Sequence, residues 1–267
     1  MKPFELWKTS FRSLIAQKRF GLWILVYILA AEWFLITLAR QGSWSDRGLF
    51  DLIADPLGWG GGTNHHMFIL VAIPTLVLVL GRMVDFNQTA GLVLKFGSRF
   101  KTWHANVLSA IFLSALLACL ILGVSLLVAG LMVGWENTWL KPSGTIGDVL
   151  ADEGKLNAIL PNLAGHRLIL VILATKFLGF VMISSYILFL KNFIKNDGFI
   201  LIILIAMAGL DYTGVLRFPV FAMSAVLTFR DWLEPATTVY HSLYLFIVSL
   251  VLYSVSGWLY ERKDFLS

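Results

Sequence analysis

Apolar residues in this chain gather in long runs instead of alternating with polar ones. Six runs stand out, at about 20–39, 67–83, 106–134, 168–190, 198–215 and 239–260. A helix rises 1.5 Å per residue, so about 20 apolar residues match the roughly 30 Å hydrocarbon core of a bilayer. The pattern predicts an all-α integral membrane fold with six transmembrane helices. Every second polar segment between the runs is rich in Lys and Arg, the mark of loops held in the cytoplasm. Both termini are therefore expected in the cytoplasm of a multi-pass protein of the cell membrane. The whole chain, 1–267, reads as a single transmembrane domain.

Shorter patterns add detail. Residues 3–18 carry Phe4, Trp7, Phe11, Leu14 and Ile15 at helical spacing, with Lys8, Arg12 and Lys18 largely elsewhere. A basic helix with aromatic residues on one face tends to lie in the membrane interface. Pro74 is expected to kink the second span. The third run, with 29 positions from Asn106 to Gly134, is long enough to tilt or project. The segments Arg40–His65 and Trp135–His166 are expected outside. So is 217–238, whose interrupted apolar residues, between Pro219 and Pro235, suggest short helices re-entering the outer leaflet. Backbone at that depth needs protein or water beside it.

Composition supports the membrane reading. The chain is 58% apolar and 14% charged, with a mean hydropathy of +0.79. Six spans and their loops use nearly all of its 267 residues, leaving no room for a soluble catalytic domain. The net charge of +5 sits beside the spans, which indicates topology and an attraction for anionic lipid, not nucleic acid. The lone Cys119 lies within a run, so neither a disulfide framework nor a cysteine metal cluster is expected. The first run is too long, and lacks the small-residue pattern, for a cleavable leader.

The strongest local chemistry lies between the second and third runs. Leu92, Phe96, Phe100 and Trp103 fall at i, i+4, i+8 and i+11, with Lys95, Arg99 and Lys101 among them. One apolar stripe on a basic helix suits a groove on a partner protein, and equally a membrane surface. Glu32 and Lys176 are charges inside spans, and such charges are suspects for a translocation path or a pair across the bundle. Glu32 could instead reach water at the outer boundary. Asp211 and Arg217 read as interface residues. His65 and His66 are adjacent and share no helix face, so no metal site is expected. No catalytic motif is present.

The run Leu94-Lys95-Phe96-Gly97-Ser98-Arg99-Phe100-Lys101-Thr102-Trp103 resembles the permeases of the type-2 ATP-binding cassette exporter superfamily, small bacterial six-span type. So do the basic N-terminal helix and the C-terminal Tyr260-Glu261-Arg262-Lys263-Asp264-Phe265-Leu266. The resemblance implies that 86–104 is a cytoplasmic coupling helix, with Leu92, Phe96, Arg99, Phe100 and Trp103 seated on a cytoplasmic ATPase dimer. It implies re-entrant outer helices at 217–238 and a second permease copy or a related permease as partner. The loops Arg40–His65 and Trp135–His166 are long for the smallest members.

No Gly-x-x-x-x-Gly-Lys-Ser/Thr loop occurs, so ATP and Mg would belong to the partner subunit and this chain would hold no cofactor. The expected function is a permease moving a hydrophobic or amphipathic substrate, such as an antimicrobial peptide, a drug or a lipid-like compound. The alternative is a membrane scaffold or sensor, or a membrane enzyme, without a transport cycle. An enzyme should gather ionisable residues at one depth, whereas here Glu32 and Lys176 stand apart in sequence.

Overall fold

The computed structural model describes Lys8, Arg12 and Ile15 individually, and residues 18–40, 47–54, 61–89, 98–213, 215, 220 and 225–262. Within them the secondary structure is helical, with no strand. Long helices are the response of an apolar chain to a solvent without hydrogen-bonding partners, because each satisfies its own backbone. Helix α1 spans Lys18–Arg40 and α2 Leu49–Ala54. Helix α3 covers His65–Asn87 and α4 Arg99–Val133. After two short helices, α5 (Thr145–Leu150) and α6 (Glu153–Ile159), come α7 (Gly165–Leu190) and α8 (Asp197–Tyr212). The five-residue α9 (Phe229–Leu233) precedes α10 (Pro235–Arg262).

Among the described residues, five helices are long and apolar enough to cross a membrane: α1, α3, α4, α7 and α10. The chain is therefore an all-α, multi-pass membrane protein. The fifth expected span, 198–215, is represented by α8, whose 16 residues reach about 24 Å. That is short of the roughly 30 Å hydrocarbon thickness. Its start is set by Asn196, whose side chain accepts from the Gly198 amide at 2.8 Å.

Helix α7 forms the centre, packing against α4, α10 and α3. Helix α3 is the most enclosed, with 72% of its most apolar window buried, against 22% for α1 and for α10. Those two peripheral helices present Leu22, Leu25, Leu29, Leu243, Ile247 and Val251 outward. Large apolar side chains facing out along whole helices are stable only in lipid or against another apolar surface.

Pro74 is accommodated by a π-helical stretch, Phe68–Ala72, just before it. Proline has no N–H and its ring crowds the carbonyl one turn back, so widening that turn relieves both problems. Helix α4 begins at Arg99, seven residues before the expected third span, and runs unbroken for 35 residues, about 52 Å. It stops at Gly134, whose φ of +89° costs glycine little. The expected coupling helix is thus divided. Residues 86–87 end α3, 99–104 begin α4, and Leu92 and Phe96 lie outside the described residues. Most of the expected interfacial helix, 3–18, also lies outside them, while Lys8, Arg12 and Ile15 are exposed.

Two cores result. One fills the bundle around Phe68, Leu76, Leu117 and Phe180. The other lies at one end, where Phe50, Ile53, Trp139, Ile146 and Trp232 from the connecting segments pack on Leu35, Leu122 and Ile172 of the long helices. The long connections expected to be polar loops therefore build a cap with its own apolar interior. Gly61, at φ +79°, turns the chain so closely over α2 that a Cβ would sit 2.7 Å from the Leu52 carbonyl oxygen. The Gly62 and Thr63 amides then donate to the Leu52 and Ile53 carbonyls at 3.0 and 3.1 Å.

Candidate functional site

At the end of the bundle opposite the cap, charged residues gather where α3, α4, α7, α8 and α10 start or stop. Lys191, almost wholly buried, lies 2.8 Å from Asp85 and 2.7 Å from Asp197. One ammonium thus ties the ends of α3 and α7 to the start of α8. A buried cation between two carboxylates holds its place strongly, because removing it leaves like charges facing one another. Nearby, Asn87 Nδ2 donates to Asn106 Oδ1 at 2.7 Å, joining α3 to α4 inside the apolar bundle.

The expected ATPase-facing residues Arg99, Phe100 and Trp103 open α4 at this end but have three different settings. Arg99 donates to the Glu261 carbonyl oxygen at 3.1 Å, linking α4 to the last turn of α10. Phe100 is 49% exposed and meets the His104 ring edge-to-face at 4.1 Å. Trp103 is 2% exposed, lies against Tyr253 and Tyr260, and comes close to Gly257. Helical spacing put Phe100 and Trp103 on one stripe, but α10 covers only the Trp103 side. Trp103 therefore belongs to the bundle, and Phe100 stays on its surface.

The two buried charges of the spans do not pair with each other. Glu32, on α1, accepts from Ser125 Oγ of α4 at 2.9 Å. It is 6% exposed, so it is enclosed, not reaching water at a boundary. The close fit depends on Gly62, where any Cβ would collide with Ser125. Lys176, on α7 and 1% exposed, donates to the Ala225 carbonyl oxygen at 2.6 Å. It thereby anchors the segment leading into α9. This part of the expected 217–238 re-entrant region is also held by Tyr244, whose hydroxyl donates to the Val220 carbonyl at 3.0 Å.

Sequence reasoning passed over the polar groups around that anchor. Asp211, read as an interface residue, is 2% exposed. It lies with Lys176 within electrostatic reach of His65 at the start of α3. Asp231 takes Thr228 N and Oγ1 at 2.7 and 2.9 Å, forming the capping box of α9. His241 Nδ1 approaches Asp231 Oδ1 at 3.2 Å, an ion-pair separation without hydrogen-bond alignment. Burial alone would raise the Asp231 carboxyl, but His241 and the two Thr228 donors outweigh it and hold the group below its usual range. The Thr228-x-x-Asp231 spacing was the available signal for this cap.

Asp51 organises the cap. It accepts from Gly48 N at 2.8 Å and from Trp139 Nε1 at 2.6 Å, with Thr138 Oγ1 more distant at 3.4 Å. Burial pushes its carboxyl up, against the opposing pull of these donors. Among the described residues no three His, Cys, Asp or Glu side chains gather as a metal site. No family model, curated protein or solved structure matches the chain.

Proposed function

We propose that the chain is the six-span transmembrane permease subunit of an ATP-driven exporter of the type-2 ATP-binding cassette kind. Its termini and the Lys191 end face the cytoplasm, the cap faces outward, and α8, fifth in chain order, is a crossing in addition to the five long helices. It works as a dimer with a second copy or a related permease, driven by a separate cytoplasmic ATPase dimer that carries ATP and Mg. The cargo is hydrophobic or amphipathic.

One observation carries this reading. The basic residues Arg99 and Lys101 lie in the first turn of α4, and α4 runs without a break from there to the cap. A helix of about 52 Å is a stiff rod, so movement at its exposed end is delivered to its far end. Its contacts spread that movement: Trp103 and Arg99 engage α10, Asn106 engages α3, and Ser125 engages α1. Lys191 keeps the neighbouring helix ends together as one body. A push on the basic segment would thus rock several helices at once, as alternating access requires. Glu32 and Lys176 have a fixed role here. Each clasps a neighbouring element that would separate or slide as the bundle opens.

The test is a mild-detergent purification of the tagged chain, with co-purifying proteins identified and assayed for ATP hydrolysis. A cassette ATPase should be recovered in stoichiometric amount. The paired change Phe96→Ala and Phe100→Ala should lower that recovery at least tenfold with membrane insertion unchanged, because Phe100 is not part of the core. Recovery of the chain alone from several detergents would overturn the proposal.

A further inference from the structure

Between α7 and α10, on the cap side of the bundle, runs a groove of about 420 Å³. Helix α7 lines it with Leu170, Ala174 and Leu178, and α10 with Val239, Leu243 and Phe246. Apart from Thr238 and Ser242 its lining is apolar, and Thr238 Oγ1 donates to the Asp231 carbonyl oxygen at 2.9 Å. Leu170, Val239, Leu243 and Phe246 are each more than half exposed, so the groove opens outward, to the side where the bilayer lies.

The cap-side end of the groove is polar. Val171, Thr238 and Val239 belong both to the groove and to a smaller pocket of about 100 Å³. That pocket is also lined by Arg167, in the first turn of α7, by Asn162 just before it, and by Asp231 and Trp232 of α9. Arg167 donates through Nη1 to Asn162 Oδ1 and makes no ion pair among the described residues. A guanidinium carries five N–H donors in a planar fork, so most of them remain for an anion. Asp231 does not supply that anion. Its carboxylate accepts from Thr228 N and Oγ1 at 2.7 and 2.9 Å and faces His241 at 3.2 Å.

We infer that this groove holds one phospholipid of the cap-side leaflet, its phosphate at Arg167 and an acyl chain between α7 and α10. Length fits first. From Arg167 to Leu178 is about 16 Å along α7. One leaflet of a roughly 30 Å hydrocarbon core is about 15 Å deep, so the groove runs from head-group level to the bilayer centre. Volume agrees. A cavity of about 150 Å³ holds benzene, or about 25 Å³ per carbon, which gives this groove room for about 16 carbons, one acyl chain. Charge then selects the head, because basic pockets beside transmembrane helices are where anionic head groups settle. The apolar cavity beyond Phe246, between α4, α7 and α10, has no Lys or Arg in its lining and carries no such selection. The site is separate from the ATPase contact and does not depend on the transporter reading.

Native mass spectrometry of the purified chain tests it, in micelles holding equal amounts of phosphatidylglycerol and a diacylglycerol with the same chains. The wild type should retain one phosphatidylglycerol, favoured about fivefold over the diacylglycerol, the factor one basic residue contributes near such a head group. Arg167→Gln should remove the preference. Arg40→Gln, which removes a cation at the same end of α1, should leave it unchanged. Ala174→Trp should abolish retention by filling the groove, and Ala174 is exposed, so the bundle interior is not disturbed. Equal retention of both lipids by the wild type would overturn the site. So would an unchanged preference in Arg167→Gln, a loss in Arg40→Gln as large as in Arg167→Gln, or undiminished retention by Ala174→Trp. A wild-type chain recovered as a lipid-free dimer would assign the groove to a second copy and overturn it as well.

Discussion

Replacing Asp51 with Ala tests whether the cap is a structure held by one carboxylate. The substitution leaves two buried donors, Gly48 N and Trp139 Nε1, without their acceptor, and the Trp139 side chain is fully buried. An unsatisfied buried donor costs about 1–3 kcal/mol, so the two together cost about 4 kcal/mol. Thr138 Oγ1 adds little, because its 3.4 Å contact is long and a hydroxyl can rotate to another acceptor. Asp51→Asn keeps one acceptor oxygen and should cost roughly 2 kcal/mol. At 1.4 kcal/mol per tenfold, Asp51→Ala should raise the local opening equilibrium of the cap on the order of a thousandfold. Hydrogen exchange reads this directly at the Asp51, Gly62 and Thr63 amides, which donate within the turn around α2. Exchange there should accelerate strongly, less so for Asp51→Asn, while amides of α3 and α7 stay protected. Protection within threefold of wild type at all three amides would refute the reasoning. Equal loss of protection throughout the long helices would show that the cap has no independent stability.

Two further outcomes follow from the packing and the titrating groups. Gly257→Ala should destabilise the bundle by about 1–3 kcal/mol, because a Cβ there would stand 2.8 Å from Trp103 Nε1 in a filled interior. A lowered detergent melting temperature checks it, and an unchanged one would remove Trp103 from the α4–α10 contact. Asp231 bears on pH. Its folded carboxyl is held below its unfolded value of about 3.9, so its contribution is complete above about pH 5 and lost as pH falls through the folded pKa. Hydrogen exchange at α9 should therefore accelerate on acidification below about pH 4 in the wild type, and Asp231→Asn should show faster exchange with no such pH step.

Much of the α4 region was legible because its signals are local. Apolar length marked α1, α3, α4, α7 and α10 as membrane-crossing, since the thickness of a bilayer imposes one length on every crossing helix. The capping pattern at Thr228 and Asp231 was equally present in the sequence, though it was read only as part of an interrupted stretch. Helical spacing grouped Phe100 with Trp103, but spacing describes one helix and not its neighbours. Only α10, brought alongside from about 150 residues away in sequence, buries the indole and leaves the phenyl ring outside.

The candidate charges show the same division. That Glu32 and Lys176 lie within the bundle was readable from the runs around them, but their partners are a serine from α4 and a carbonyl before α9, neither of which is near in sequence. Asp211 looked like a boundary residue because its segment is mixed in polarity, and its burial came from elements folded over it. The cap is the largest case: Trp139, Phe50 and Trp232 come from three separate connections and meet only in space. By itself the sequence determined that the chain crosses a membrane as long helices, because lipid penalises any segment that does not satisfy its own backbone. Tertiary structure alone decided which polar groups meet and which apolar faces stay open, because those depend on contacts between residues far apart in the chain.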